Sequence, residues 1–328
     1  MNRTPSVAAQ AADAVAGIQP APSTRSPMHP QLTTLLTFLT EKAWKLPEDR
    51  AYWHQKGLVG TPEFFTIKDL KAYVNSPMLM PEYFSLVYQG KKVDCSKAIA
   101  HKVVQRTHIQ FLNRGIVEEY LSRGAALVLE GLDIVSPEIN AFCAAIDESR
   151  ANILSNAVVF FSQRGAEAYR GHCDSDDVLV MHLAGQKTWR LHERQAPRRV
   201  DLGELPPEKM GPLRAEVTMN PGDAMFIRAG TPHQVETKSP FSMHVSFDIV
   251  DRNVFPETAL ELLLGQYNRA SASSYTPSEG VLAKLMEHAS SPEFKQRIAE
   301  LHRETTRHCK QFRALLGSNV VRALDKWI

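Results

Sequence analysis

Two histidines and one aspartate have the residue types and the spacing of a metal-binding set. His172 and Asp174 flank Cys173, and side chains two positions apart in an extended segment point to the same face, so both can reach one ion. His233 follows the loop sequence Gly-Thr-Pro. Two imidazoles and one carboxylate form a facial set that leaves neighbouring coordination positions open, as in non-haem iron(II) sites. A structural zinc site would instead close its coordination, usually with cysteine.

A predicted hairpin brings His233 back toward the other two residues. Pro221-Gly222-Asp223 predicts a tight turn, a strand is expected directly after it, and Gly230 begins the loop that leads to His233. This Gly-Asp…Gly…His spacing is typical of the second half of a cupin-type site. An isolated HxD element or a lone loop histidine usually has no metal role. Together with the turn, however, they favour metal binding over a histidine that only packs in a loop.

Lys187 is a further candidate site residue, because its predicted surroundings call for a charged partner. It lies fifteen positions after His172 and beyond Gly185, at the start of a predicted strand with apolar neighbours. An ammonium buried without a partner is costly, so we expect a carboxylate ligand beside it. The C5 carboxylate of 2-oxoglutarate would meet that need. The alternative is a solvated lysine on an exposed face of the strand.

Length and composition are those of an ordinary soluble globular protein. The 328 residues are 43% hydrophobic and 23% charged, with a formal net charge of +2. This balance gives no direct sign of nucleic-acid binding, and no apolar run is long enough to cross a membrane. The cysteines form no CxxC pair, and they are Cys95, Cys143, Cys173 and Cys309. We therefore expect reduced thiols and a cytoplasmic location.

The first 29 residues are expected to form a disordered tail. They are rich in Ala, Pro and Ser and contain no continuous apolar stretch of the kind found in secretory signals. A mitochondrial-type leader is the alternative, because Arg3 and Arg25 accompany a single acidic residue, Asp13.

The elements that must position the candidate site fall into three groups. Helical spacing and capping residues predict helices at 32–45, 68–74, 114–122 and 137–146, with a short strand at 125–129. The next group consists of short β-branched or aromatic runs, at 157–161, 178–183, 188–192, 216–219, 224–227, 234–237 and 243–250. Closely spaced short strands predict an antiparallel sandwich or barrel. Helices are predicted again at 258–267, 278–288 and 292–316.

The stretch from Ala125 to Asp248 resembles the JmjC-type oxygenases, and within them the ribosomal oxygenase (cupin-4-like) branch. The matching segments occur in the family's order, and they are GAALVLEGLD, SNAVVFF, GHCDSDDVLVMHLAGQKTWRLHE, PGDAMFIRAGTPHQVET and SMHVSFDI. The resemblance implies a mainly β fold with flanking helices, built on a double-stranded β-helix of the cupin, jelly-roll or JmjC type. The oxygenase domain with a helical lead-in would span 30–255. A C-terminal helical region at 256–328 would follow and could form a homodimer.

The resemblance also implies roles for the candidate residues. Iron(II) would be held by His172, Asp174 and His233, with 2-oxoglutarate as cosubstrate. Lys187 would bind the distal carboxylate of the cosubstrate, and Asn156 would contact it from the neighbouring strand. The implied activity is hydroxylation of a C–H bond in a side chain of a protein or peptide, consuming molecular oxygen and releasing succinate and CO2. Lysine demethylation, hydroxylation of a small metabolite and a non-catalytic cupin-like metal-binding module are the alternatives.

The sequence departs from the family pattern in several places. The segment leading to the HxD element is two residues longer than usual, which bears on the placement of Asn156. His182 stands where glutamine is common, and it is predicted either to line the pocket or to pack. His244 is predicted to lie behind the metal ligands or in the core. The 73 residues after Phe255 are too few for both a dimerisation region and a winged helix, and their helical stripe from Phe294 to Leu315 favours intramolecular packing or a dimer contact.

Overall fold

A large antiparallel sheet forms the centre of the computed structural model. The structure describes residues 28–76, 83–94, 98–163, 169–194, 204–253, 259–260, 263 and 278–317. The strands are β1 Tyr52–Gln55, β2 Phe84–Tyr88, β3 Lys91–Lys92, β4 Ile99–Val104, β5 Thr107–Leu112, β6 Ala126–Leu129, β7 Ile153–Gln163, β8 Asp177–His192, β9 Leu213–Met219, β10 Ala224–Ile227 and β11 His233–Asp251. The helices are α1 Pro30–Glu41, α2 Ile67–Val74, α3 Arg114–Ser122, α4 Leu132–Val135, α5 Pro137–Ser149, α6 Ser278–Ser290 and α7 Pro292–Gly317.

The main sheet has nine strands in the order β1-β10-β8-β11-β7-β6-β2-β3, and β9 pairs with β8 off this path. β4 and β5 form a separate hairpin. The long central strands β8 and β11 run antiparallel to each other, so β8 and β7 lie on either side of β11. The predicted mainly β class with flanking helices is confirmed.

The prediction that β8 and β11 are each two separate short strands is wrong. Each is one long strand that bends, with shifts of register between Thr237 and Ser242 and between Met243 and His244. Gly185 lies at the bend with a φ of +68°, and a Cβ there would collide with the Phe241 carbonyl. Glycine is required at this position because the other strand passes too close for a side chain. From the sequence alone, that glycine indicates a turn between two strands.

Several predicted helices are confirmed, although their ends differ. α2 is capped by the Thr66 side chain, which forms a capping box with Asp69, as the sequence predicts. α5 begins at Pro137, but the Ser136 side chain makes no capping hydrogen bond. α5 packs its buried face on the sheet, and the Phe142 ring lies edge-on to Phe247 at 4.6 Å between centroids.

The lead-in to the domain is not purely helical, in contrast to the expectation from the sequence. β1 pairs with β10, and β2 pairs with β6, so both belong to the main sheet. The β1 sequence Tyr-Trp-His-Gln shows no alternation of apolar and polar residues, so periodicity alone does not reveal it. The lead-in therefore contributes strands to the main sheet as well as helices that cover it.

The C-terminal helices α6 and α7 agree with the predicted ranges to within two residues. The α7 residue Phe294 is buried, and His302 and Thr306 hydrogen-bond to the Asn152 side chain before β7 at 3.0 and 2.5 Å. α7 thus packs within the chain, and the homodimer stays a prediction. Most of the predicted helix at 258–267, and nearly all of the predicted tail at 1–29, lie outside the described residues. No described helix is long and apolar enough to cross a membrane.

Candidate metal centre

The structure brings His172, Asp174 and His233 together. One possible ligand atom from each lies within 4.8 Å of the others. The His172 Nε2 atom is 3.7 Å from Asp174 Oδ1, and the His233 Nε2 atom is 3.6 Å from Asp174 Oδ2. Both imidazoles therefore turn the same nitrogen toward one carboxylate, and an ion could contact all three side chains.

Backbone hydrogen bonds fix this convergence. His172 and His233 form an isolated antiparallel bridge, with N–H to carbonyl distances of 3.0 and 2.8 Å in the two directions. The Gly230 N–H donates to the Asp174 carbonyl at 2.8 Å. The segment before β8 is thus tied to the loop that begins β11, which explains how residues so distant in sequence become neighbours.

The second nitrogen of each imidazole is held by the backbone. His172 Nδ1 lies 2.9 Å from the Arg170 carbonyl, and His233 Nδ1 lies 3.0 Å from the Thr231 carbonyl. Since a carbonyl only accepts, we assign the proton to Nδ1 in both rings, which leaves the Nε2 lone pairs free. Burial, followed by the neighbouring His172, lowers the pKa of His233 to about 4. His233 is therefore neutral near pH 7, as a metal ligand must be.

The donor set fits a divalent iron ion better than a structural zinc. The described residues supply two nitrogens and one carboxylate, the ligand types of the facial set that leaves coordination positions open for other ligands. Cys173 does not join the set, so the thiolate ligand that a structural zinc site usually has is missing from it. The Asp174 side chain is 38% exposed while that of His233 is 4% exposed, so the centre is open on its carboxylate side.

Lys187 is buried on the same wall as the metal set. The side chain is 3% exposed, and its Nζ donates to His244 Nδ1 at 3.0 Å. Burial lowers the pKa of Lys187 to about 7, and no ion pair joins it to a carboxylate within the described residues. Trp189, two residues further along β8, stacks on His233 at 5.6 Å and meets His244 edge-on at 5.4 Å. Trp189 therefore contacts both the metal ligand His233 and His244, the hydrogen-bond partner of the lysine.

Buried polar atoms without partners cluster beside Lys187. Among the described residues these atoms include Trp189 Nε1, His182 Nδ1 and Ser242 Oγ. Such atoms are rare in folded proteins and call for a ligand or a water. His182 Nε2 donates to the Gly185 carbonyl at 3.0 Å, and burial, followed by the charge of Lys187, lowers the pKa of His182 to about 4. His182 is fully buried beside the lysine.

Asn156 lies on β7, directly opposite Asp248 on β11. Its Nδ2 atom donates to Asp248 Oδ2 at 3.3 Å, because a carboxylate can only accept. Burial, followed by the charge of Asp174, raises the pKa of Asp248 to about 7. The sequence interpretation missed Asp248. The available signal was alternation on β11, since His244, Ser246 and Asp248 share one face.

Comparison with known proteins agrees with this site. Residues 135–255 match the JmjC domain family. The chain is 27% identical to ribosomal oxygenase 2 from Rattus norvegicus over 33% of this chain and 23% of that protein. It is 24% identical to the bifunctional lysine-specific demethylase and histidyl-hydroxylase NO66 from Drosophila willistoni over 39% of this chain and 17% of that protein.

The solved structure of E. coli ycfD superposes with a TM-score of 0.52 at 17% identity, covering 81% of this chain and 70% of that one. At this identity the likeness speaks for the fold alone. The chain spans about a quarter or less of the length of the two curated relatives named above. The antiparallel core, the His-Asp-His set and the family match agree with one another: residues 135–255 are similar to the JmjC domain family.

Proposed function

We propose that this protein is an iron(II)- and 2-oxoglutarate-dependent oxygenase that hydroxylates a C–H bond in a side chain of a protein or peptide and releases succinate and CO2. One observation carries the proposal: a facial His-Asp-His set shares a wall with a buried lysine that has no carboxylate partner among the described residues. A metal-binding module without turnover would have no need to bury an ammonium there, since that burial is costly.

His172, Asp174 and His233 would hold the iron through two Nε2 atoms and one carboxylate. The bound iron and cosubstrate supply oxygen activation for C–H oxidation. The carbonyls of Arg170 and Thr231 keep the two rings in the orientation that points Nε2 at the ion. These contacts fix the orientation of both rings in the folded chain, so the site is preorganised before the metal arrives.

Lys187 would anchor the distal carboxylate of 2-oxoglutarate. An ammonium has three N–H donors, and His244 uses one of them. Two donors remain for the carboxylate, and the buried, unpaired Trp189 Nε1 lies on the same wall. Asn156 would add a further contact, because its amide has two N–H groups and Asp248 uses one.

The identity of the substrate is proposed from the relatives. Their names include a ribosomal oxygenase and a bifunctional demethylase and histidyl-hydroxylase, so a ribosomal protein is the first candidate substrate. Lysine demethylation is the second candidate, because it begins with the same C–H hydroxylation on an N-methyl group. Mass spectrometry separates the two, since hydroxylation adds one oxygen whereas demethylation removes a methylene and releases formaldehyde.

The direct test is succinate formation from 2-oxoglutarate with added iron(II), in the wild type and in His172→Ala. We expect slow turnover without the true substrate, and none in the variant. Binding of 2-oxoglutarate to the manganese-substituted protein provides a readout that does not depend on turnover. If the wild type forms no succinate and binds no 2-oxoglutarate, the oxygenase proposal is wrong.

A further inference from the structure

β4 and β5 form a hairpin that is separate from the main sheet. Its root is fixed to the body of the protein, since the Asn113 N–H donates to the carbonyl of the buried Ala98 at 2.8 Å, and Leu112 packs against the main core. Beyond the root, every described side chain from His101 to Phe111 is exposed. Strands of six residues make the hairpin about 20 Å long. We call residues 99–112 the arm.

The arm exposes apolar side chains that its own chain does not cover. Val103 is 60% exposed, and Ile109 and Phe111 are each 40% exposed. A two-stranded hairpin with no third strand and no helix on its face is only marginally stable in water. Apolar groups that are exposed together on such an element are typical of a binding surface.

The arm is also basic along its whole length. The sequence has no acidic residue from 95 to 117, whereas it has cations at Lys97, Lys102, Arg106 and Arg114. Neither Lys102 nor Arg106 forms an ion pair within the described part of the chain. The net charge of +2 for the whole chain therefore averages over a surface that is locally positive, and such a surface attracts polyanions.

The tip of the arm holds an arginine in a backbone conformation that glycine usually takes. Val104 pairs with Thr107, so the turn consists of Gln105 and Arg106 alone, and their φ angles are +47° and +73°. Turns with two positive φ angles usually contain Asn-Gly or Asp-Gly, because larger side chains are strained there. Strain of this kind often marks a functional position, which favours a role for the cation at the tip.

One face of the arm combines an open aromatic ring with a lysine. Paired residues of a hairpin share a face, and the pairs on this face are Ala100 with Phe111 and Lys102 with Ile109. The methyl group of Ala100 is too small to cover the ring opposite it. Aromatic rings of this kind stack on unpaired bases, while neighbouring cations contact the phosphates of the same strand.

Other partners fit the arm less well. A second copy would bring cations against cations, and lysine on an open edge opposes pairing with another strand. A lipid surface requires the apolar side chains on one face of an element, whereas Val103 lies on the opposite face from Ile109 and Phe111. An acidic peptide would neutralise the cations but supplies no base to stack on the ring.

We propose that the arm binds single-stranded RNA, with Phe111 stacked on a base and with Lys102 and Arg106 in contact with backbone phosphates. RNA is the form of nucleic acid whose loops, bulges and ends leave bases unstacked. The inference uses no residue of the metal centre, so it does not depend on the oxygenase proposal.

The test is fluorescence anisotropy of the full-length protein with a labelled RNA of about 12 nucleotides, a length within the range of single-strand binding sites. The RNA has a mixed sequence without self-complementarity. We expect saturable binding whose logarithmic affinity falls linearly with the logarithm of salt concentration. The same RNA annealed to its complement should bind at least about tenfold more weakly, because its bases are no longer free to stack.

Two sets of variants separate the phosphate contacts from the stacking contact. Lys102→Gln combined with Arg106→Gln should reduce the salt slope by about 1.4, since each phosphate contact of a single strand contributes about 0.7. Phe111→Ala should weaken binding about tenfold and leave the slope unchanged. Lys68→Gln combined with Lys71→Gln is the matched control, because it removes the same charge from exposed positions of α2, and it should alter neither quantity.

Thermal unfolding checks that every variant folds, and crosslinking with RNA that contains 4-thiouridine locates the contact. Crosslinks should map to the peptide that contains Phe111. No binding by the wild type, equal affinity for the duplex, an equal loss in the α2 control, or crosslinks confined to other peptides would each overturn the inference. Binding to vesicles of phosphatidylserine and phosphatidylcholine that excess RNA does not displace would show that the arm takes a lipid surface instead.

Discussion

The face of β11 that carries His244 and Asp248 has two ends that differ in charge but share one physical situation. At the basic end Lys187 donates to His244, and at the acidic end Asn156 donates to Asp248. Burial lowers the pKa of Lys187 to about 7 and raises that of Asp248 to about 7. Each group is therefore poised to gain or lose its charge near neutral pH, and each lacks an ion-pair partner among the described residues. One end loses its charge above pH 7 and the other below it, so pH and substitution can separate their contributions.

Removal of a metal ligand should abolish turnover whatever the charge at either end, and this is the largest effect we expect. Asp174→Ala leaves two imidazoles and no carboxylate. Iron affinity and succinate formation should each fall by more than about 100-fold, which exceeds the loss typical for residues that only hydrogen-bond to a metal ligand. Metal content after dialysis and succinate yield measure the two effects. Cys173→Ser is the control, because Cys173 adjoins Asp174 in the sequence but lies outside the metal set; a loss of metal in that variant would contradict our donor set.

Lys187→Met should separate the basic end from the metal. Loss of a charge-assisted hydrogen bond of about 1.5–3 kcal/mol should weaken 2-oxoglutarate binding roughly 10- to 150-fold, while metal binding stays unchanged. Titration of the manganese protein with 2-oxoglutarate gives the affinity. If the affinity is unaltered, Lys187 is not the anchor.

The same variant should be more stable than the wild type without its ligand. A buried lysine with a folded-state pKa of about 7 lies well below its unfolded value of about 10.4. The unfolded protein therefore binds more protons between those values, and wild-type stability increases as the pH rises through that window. Lys187→Met removes this cost, and the free energy of unfolding at pH 7 should rise by on the order of 1–4 kcal/mol. Denaturant unfolding of the apo protein measures it, and a destabilised variant would contradict the unpaired state of Lys187.

The two ends should respond to pH in opposite senses. Above pH 7 the free Lys187 loses its proton, so 2-oxoglutarate affinity should fall up to about tenfold per pH unit. Lys187→Arg is the control, since a guanidinium keeps its charge, and its 2-oxoglutarate affinity should vary less between pH 7 and 8.5 than that of the wild type.

At the acidic end the effect of pH is on stability. The pKa of Asp248 is about 7 in the folded protein and about 3.9 in the unfolded chain. The folded protein therefore binds more protons between those values, and its stability falls as the pH rises through that window. Denaturant unfolding should show the apo wild type losing stability relative to Asp248→Asn across this range. If 2-oxoglutarate affinity rose with pH above 7, or if Asp248→Asn left the decline in stability unchanged, the opposite charges assigned to the two ends would be wrong.

The sequence was sufficient for the parts of the site that depend on local spacing. The HxD element, the Pro-Gly-Asp turn and the Gly-Thr-Pro-His loop are short-range patterns, and His172, Asp174 and His233 do converge. The position of Lys187 could also be inferred, because a lysine among apolar strand neighbours demands a partner. Its burial agrees with that reasoning.

The acidic end could not be predicted in the same way. Asp248 meets Asn156 only through the register of β11 against β7, and register is a property of the paired sheet. The same limit explains the errors in the fold. β1 lacks alternation, and the halves of β8 and β11 join only because Gly185 allows the other strand to pass closely. Such features depend on contacts between residues that are distant in the sequence.

Asn156→Ala should give the smallest effect, and it probes both ends at once. The family resemblance implies a cosubstrate contact for Asn156, whereas its hydrogen bond places it against Asp248. Because one amide N–H serves Asp248 and the other is free for the cosubstrate, the variant should lose about 1 kcal/mol at each end. That loss corresponds to roughly fivefold weaker 2-oxoglutarate binding and, at the hydrogen bond to Asp248, to an equal fall in the free energy of unfolding.

The pattern of losses in Asn156→Ala then decides where the side chain acts. Titration of the manganese protein with 2-oxoglutarate gives the affinity, and denaturant unfolding of the apo protein gives the stability. Asn156→Asp serves as the matched variant, because it preserves size but places a second carboxyl beside Asp248, which should raise the pKa of the pair further. The decline in stability with pH should then extend to higher pH. If Asn156→Ala alters 2-oxoglutarate affinity alone, the amide acts on the cosubstrate and its hydrogen bond to Asp248 contributes nothing measurable to stability.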